Sequence, residues 1–89
     1  MAREIKFNGR EQATVRAIGF GSGITGADIQ ERMNMTAEEL VDILNTLLDM
    51  GFIETSTMIE NVTSATYATE NFEINPSYAA DIRDAIKRR

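Results

Sequence analysis

The most regular pattern in this sequence predicts a helix from Ala37 to Met50. Thr36 has the side chain of an N-cap, and Glu39 follows three residues later, so the two form a capping box. Gly51 ends the helix, because glycine adopts the left-handed conformation at little steric cost. The apolar residues recur at i, i+3, i+4, i+7 and i+8, the spacing of one helical face: Leu40, Ile43, Leu44, Leu47 and Leu48. The opposite face must therefore meet solvent or a partner.

A first helix is predicted upstream, beginning after Asn8 and continuing to about Ile18. Asn8 and Glu11 form a second capping box, and the glycine-rich run from Gly19 to Gly23 ends the helix. Those glycines resemble a phosphate-binding loop only superficially, since no strand precedes them and no Lys-Ser or Lys-Thr pair follows. We interpret the run as a connector. The residues expected to face the core are Ala13, Val15, Ala17 and Ile18.

A short helix from Gly26 to Met33 is predicted between these two. Thr25 is its N-cap and Asp28 occupies its third position. Only Asn34 and Met35 separate this helix from the next N-cap, and asparagine tolerates the positive φ that a tight turn often requires. Two helices joined this closely cross at a steep angle, which is the helix-turn-helix arrangement.

After the third helix the sequence predicts a hairpin and one more helix. The segments Phe52–Met58 and Ala65–Ile74 are rich in Thr, Ile, Tyr and Phe, which favours two antiparallel strands. The polar stretch Glu60–Ser64 joins them as a hairpin tip. Pro76 then begins a C-terminal helix, because proline is tolerated at the first helical position. Its single apolar stripe consists of Tyr78, Ile82, Ala85 and Ile86.

This order of elements resembles the winged helix-turn-helix superfamily, an α+β fold with three helices, a two- or three-stranded antiparallel wing and a C-terminal helix. The segments Ile24–Thr36 and Leu47–Glu54 are similar to the MarR-like pattern, including its Leu-x-x-x-Gly-Leu-Ile-Glu entry into the wing. A chain of 89 residues suits one domain, 1–89, with a core at 8–74 and a C-terminal helix at 75–89. The resemblance implies a DNA-binding transcriptional regulator whose third helix enters the major groove.

The distribution of charge disfavours DNA binding through that third helix. All nine Lys and Arg residues lie outside the segment Met33–Ile82, and the nine Asp and Glu residues inside it give it a charge of −9. Tight duplex binders often neutralise roughly 6 to 10 phosphates, whereas this helix would neutralise none. Each carboxylate near a phosphate would instead cost on the order of 1 kcal/mol.

The leading hypothesis from the sequence is therefore a non-enzymatic protein-interaction or regulatory module that uses helix 3 and the wing. Glu38, Asp42, Asn45 and Asp49 have the spacing of one helical face, so they form an acidic stripe opposite the leucines. Such a stripe attracts a partner with a basic surface. The alternative is a solvated face that keeps a small domain soluble. The predicted partner-binding residues are Glu38, Glu39, Asp42, Asn45, Thr46, Asp49 and Glu60.

The C-terminal end supplies cations and an apolar stripe, each with two interpretations. The cations complement the helix dipole or contact nucleic acid, which keeps the MarR-like DNA-binding regulator as the alternative function. The apolar stripe packs on the first helix or forms the contact of a homodimer. The cations are Arg83, Lys87, Arg88 and Arg89, and the candidate dimer residues are Tyr78, Ile82 and Ile86.

Several function classes are disfavoured by what the sequence does not contain. It has no His and no Cys, the groups that usually act as base or nucleophile near neutral pH, so we expect no enzyme activity. We also expect no cofactor and no metal site. No stretch approaches the roughly 18 to 20 consecutive apolar residues of a membrane span, so we expect a cytoplasmic protein without membrane contact.

Overall fold

The computed structural model describes residues 5–87, which form an α+β domain with four α-helices and a three-stranded antiparallel sheet. Arg88 and Arg89 lie outside the described residues. No helix within 5–87 combines the length and the apolar character needed to cross a bilayer. The elements are α1 (Gly9–Ile18), β1 (Ile24–Thr25), α2 (Gly26–Met33), α3 (Ala37–Asp49), β2 (Ile53–Thr55), β3 (Asn71–Ile74) and α4 (Ala79–Lys87), with 3₁₀ turns at Tyr67–Thr69 and Pro76–Tyr78.

The three helix starts predicted from capping residues are confirmed. Asn8 accepts the backbone N–H of Glu11 at 2.8 Å, and Thr36 accepts that of Glu39 at 3.1 Å. In both cases the Glu side chain accepts the backbone N–H of the cap residue in return, which completes a capping box. Thr25 caps α2 with its own side chain. These caps satisfy N–H groups that no helical carbonyl reaches.

The turn between α2 and α3 also agrees with the prediction. Asn34 has φ 55° and ψ 51°, the left-handed conformation that ends α2 and redirects the chain. Gly51 ends α3 in the same way, with φ 82°, and its N–H donates to the carbonyl of Leu48 at 3.0 Å. Both turns are local, so a few neighbouring residues are enough to specify them.

The core lies between the leucine face of α3, the inner faces of α1 and α2, and the sheet. The side chains with no exposed surface include Val15, Ile29, Leu40, Leu44, Leu47 and Phe72. One prediction for α1 was wrong: Ala13 is exposed, whereas Thr14 is buried. Thr14 is tolerated there because its hydroxyl donates to the carbonyl of Arg10 at 2.8 Å.

The sheet differs from the predicted hairpin in both extent and partners. Its strand order is β1-β3-β2, so β3 is central, and Phe72 is paired with Ile24 on one side and Thr55 on the other. The predicted strands were too long, because residues 56–70 form a connection with a 3₁₀ turn. Thr63 and Thr66 explain part of the difference, since their side chains bond to nearby backbone and compete with strand pairing.

The C-terminal helix packs against the rest of the chain through its apolar side. Asn75 accepts the N–H of Ser77 at 3.0 Å, and Pro76 then begins a 3₁₀ turn that continues into α4. Ile82 has no exposed surface. At the end of α4, the carbonyl of Ile86 accepts a hydrogen bond from Arg16 of α1 at 3.0 Å. The helix is therefore anchored at its middle and at its end.

Candidate functional site

The exposed face of α3 presents the acidic side chains that the sequence placed there. Glu38, Asp42 and Asp49 are exposed, on the side opposite the buried leucines. We keep the name acidic stripe for these three charged residues and leave out Asn45. Helical periodicity explains the separation, because positions four and seven residues apart project from the same side of a helix.

Asn45 lies on the same helix but does not point freely into solvent. Its side-chain N–H donates to the carbonyl of Val62 at 2.9 Å, and its side-chain oxygen accepts the N–H of Val62 at 2.8 Å. Val62 is 3% exposed, so this residue of the 56–70 connection is held against the core. Asn45 was predicted as a contact for a partner, and the structure shows that its amide instead positions the connection beside α3.

That attachment creates a groove between α3 and the connection, which we call the polar groove. Its volume is about 490 Å³, and Glu60 and Asn61 face the helix across it. Thr46 lies in the groove with its hydroxyl donating to the carbonyl of Asp42 at 3.0 Å. Among the described residues no Lys or Arg lines it. Asp42, Asp49 and Glu60 all line the groove, so the predicted wing residue Glu60 lies on the same surface as part of the acidic stripe.

Glu39 was predicted as a partner contact but is engaged in the capping of α3. One carboxylate oxygen accepts both the backbone N–H and the hydroxyl of Thr36 at 3.1 Å, and the other lies 3.2 Å from the guanidinium of Arg10. The backbone N–H of Thr36, followed by its hydroxyl and by Arg10, holds the pKa of Glu39 below the ordinary 4.5. Because Thr36 and Arg10 already engage both of its carboxylate oxygens, Glu39 is less available to a partner than a carboxylate without such contacts.

A second groove adjoins the first and was missed by sequence reasoning. We call it the methionine groove, because Met58 lines it together with Leu48, Ile53 and Ile59. The volume of this groove is about 460 Å³. Asp49 and Glu60 line both grooves. Met58 was predicted at the end of a strand, yet it has φ 59° and is 69% exposed. Strand periodicity gave no signal for an exposed methionine in a turn.

Several arginines among the described residues make contacts within the chain. Arg32 donates to the carbonyl of Ala17 at 2.9 Å, and the Arg83 guanidinium lies 4.4 Å from the centre of the Phe20 ring. Lys87 is exposed on the last turn of α4. The guanidinium groups bonded to helix-terminal carbonyls complement the negative end of the helix dipole.

The three candidate dimer residues do not form an open apolar stripe. Ile82 is wholly buried inside the chain, whereas Tyr78 and Ile86 are half-buried. The Tyr78 ring packs edge-on against Phe52 with centroids 5.3 Å apart. Ile82 and the ring of Tyr78 are therefore used for packing within one chain.

The described residues present no arrangement that suggests metal binding. Within 5–87, no group of three or more His, Cys, Asp or Glu residues is placed to hold a metal ion. Each described Asp and Glu is at least partly exposed. The acidic residues of the polar groove, Asp42, Asp49 and Glu60, are all exposed.

Comparison with known proteins finds no family model, no curated protein and no solved structure that matches this chain.

Proposed function

We propose that this chain is a non-enzymatic protein-interaction or regulatory module of the winged helix-turn-helix type, which binds a basic surface on a partner protein. The order of α1, α2 and α3 followed by β2 and β3 supports the fold assignment. The tight turn at Asn34 supports it further, because it joins α2 to α3 as the superfamily requires. The binding face is the acidic stripe together with the connection that Asn45 holds beside it.

The acidic lining of the polar groove is the observation on which this proposal depends. Asp42 and Asp49 come from α3 and Glu60 from the connection, and no described cation lines the groove. Carboxylates on a rigid helix keep their positions, so they steer an oppositely charged surface without a large ordering cost. Each exposed pair contributes only about 0.2 to 1 kcal/mol, so several pairs must act together.

A DNA-binding regulator is the second candidate, with contact through the end of α4. Arg83 and Lys87 are both exposed and lie one helical turn apart, which favours this route. Contact through α3 is opposed by the acidic stripe. The amide of Asn45, which could otherwise bond to a base edge, is already bonded to Val62.

The test is a titration of the ¹⁵N-labelled protein with an arginine-rich peptide and, separately, with a mixed-sequence DNA duplex. The proposal expects the peptide to shift the amides of Glu38 through Asp49 and to bind less tightly as salt is raised. The double variant Glu38→Lys/Asp42→Lys should lose most of that binding. Glu31→Lys is the matched control, because Glu31 is exposed on α2 outside both grooves.

Two outcomes of the same titrations would count against the proposal. Duplex binding that shifts Glu38 through Asn45 would place DNA on α3 and overturn it. Shifts confined to Arg83 and its neighbours, with no response to the peptide, would favour the DNA-binding regulator instead.

A further inference from the structure

Met58 is exposed to an unusual degree for an apolar side chain in this molecule. Within residues 5–87, Met50 and Met58 are the only large hydrophobic residues that are exposed, with exposed fractions of 49% and 69%. Exposed single apolar side chains are common, so exposure alone does not indicate a site. The difference between the two methionines is that Met58 lines the methionine groove and Met50 does not.

The backbone around Met58 is held in place, so the groove exists before any partner arrives. The N–H of Met58 donates to the carbonyl of Thr55 at 3.0 Å, and the N–H of Ile59 donates to the Thr55 hydroxyl at 3.1 Å. Thr55 itself is 1% exposed and belongs to β2. A buried strand residue thus fixes the turn that presents Met58.

Part of the methionine groove is apolar, and the groove is large enough for a side chain from outside. Leu48, Ile53 and Ile59 line it with Met58, and its volume is about 460 Å³. A cavity of roughly 150 Å³ accommodates a benzene ring, so one or two apolar side chains fit this groove. Methionine suits such a surface, since its unbranched side chain adapts to the shape of what it contacts.

Acidic residues line the same groove as these apolar side chains. Asp49, Glu54 and Glu60 line the groove, and no described Lys or Arg does. Asp49 and Glu60 also line the polar groove, so the two surfaces are continuous. A wholly apolar occupant would leave these charges without a partner, whereas a cationic segment would pair with them.

We propose that the methionine groove binds an apolar side chain of a basic protein segment, whose flanking Arg or Lys residues pair with Asp49, Glu54 and Glu60. This inference rests on the proposed function and adds the kind of segment that is recognised. The acidic stripe attracts the partner, and the groove selects among basic segments for one with an apolar residue between its cations. Cationic segments without such a residue bind weakly.

The experiment uses three synthetic peptides of equal length and fluorescence anisotropy. One alternates Arg with Leu, one alternates Arg with Ala, and one alternates Gln with Leu. The Arg-Leu peptide should bind about tenfold more tightly than the Arg-Ala peptide, because burial of the larger side chain is worth at least that factor. The Gln-Leu peptide should bind weakly or not at all.

Two variants with the same chemical change test the role of the groove. Met58→Asn removes the apolar side chain at a left-handed position that asparagine tolerates, so the fold is retained. It should reduce binding of the Arg-Leu peptide to the level of the Arg-Ala peptide and leave the latter unchanged. Met50→Asn, outside the groove, should leave both affinities unchanged.

The outcomes separate failure of this inference from failure of the proposed function. Equal binding of the Arg-Leu and Arg-Ala peptides, lost in Glu38→Lys/Asp42→Lys, would overturn the inference and leave the proposed function standing. Absence of binding by both arginine peptides would overturn both. Tight binding of the Gln-Leu peptide would show that the carboxylates do not select the partner. A two-chain mass by sedimentation that Met58→Asn abolishes would make a second copy the occupant and reject a foreign segment.

Discussion

Asn45 on α3 and Val62 in the 56–70 connection are joined by two hydrogen bonds. The side-chain N–H of Asn45 donates to the carbonyl of Val62 at 2.9 Å, and the backbone N–H of Val62 donates to the side-chain oxygen of Asn45 at 2.8 Å. An asparagine side chain presents one donor and one acceptor side by side, so it pairs with a single backbone residue as another strand would. This pairing holds the connection that carries Glu60 beside the helix that carries Asp42 and Asp49. The polar groove therefore depends on Asn45, a residue that bears no charge.

Replacement of Asn45 should loosen the connection more than it weakens α3. We expect Asn45→Ala to lower the free energy of unfolding by about 1 to 3 kcal/mol, because it leaves two backbone groups of Val62 without partners. Urea denaturation measures the loss, and hydrogen exchange at the Val62 amide should accelerate. Thr46→Ala is the control, since Thr46 is exposed on the same helix and should change stability by less than about 0.5 kcal/mol. Unchanged protection of Val62 in Asn45→Ala would contradict this role.

Gly26 is required by close packing between α2 and the 3₁₀ turn at Tyr67. A Cβ atom at Gly26 would lie 2.0 Å from the carbonyl oxygen of Tyr67, which is backbone and cannot rotate away. Gly26→Ala should therefore destabilise the protein by about 1 to 3 kcal/mol or more. Gly9→Ala adds the same methyl group where nothing lies within 4 Å, and should be neutral or slightly stabilising. Thermal unfolding compares them, and similar midpoints for the two variants would refute the prediction.

The left-handed conformation of Asn34 predicts opposite effects for two small replacements. Asn34→Ala should cost about 1 kcal/mol, because alanine gains no local hydrogen bond in the αL region and suffers the steric clash there. Asn34→Gly should be neutral or stabilising, since glycine has no Cβ. Chemical denaturation of the two variants gives the difference directly. An Ala variant as stable as the Gly variant would mean that the turn adopts another conformation in solution.

Glu39 should make the stability of the protein depend on pH in the acidic range. Its pKa is lowered in the folded state, so its contribution is fully present above the ordinary value of 4.5 and is lost as pH falls through the lower folded pKa. Glu39→Gln retains an amide that can cap α3 but has no charge. The difference in unfolding free energy between the parent and Glu39→Gln should shrink as pH falls below 4.5. A difference that stays constant from neutral pH to about pH 3 would show that the carboxylate charge is not responsible.

The helix boundaries could be predicted from the sequence because the groups that set them are close together along the chain. Thr36 and Glu39 are three residues apart and complete the capping box without help from the rest of the fold. Asn34 adopts positive φ for an equally local reason. The exposed position of the acidic stripe follows from the same periodicity that buries the leucines.

The strands and the grooves were settled only by the tertiary structure. Ile24 pairs with Phe72, so β1 depends on a residue far away in the sequence, and no local pattern specifies that partner. Asn45 is polar and lies on the face of α3 that the sequence predicts to be exposed. Its hydrogen-bond partner is nevertheless 17 residues away in the chain. Local periodicity determines which side of a helix faces outward. Which distant segment then lies against that side, and which polar atoms it occupies, depends on how the whole chain packs.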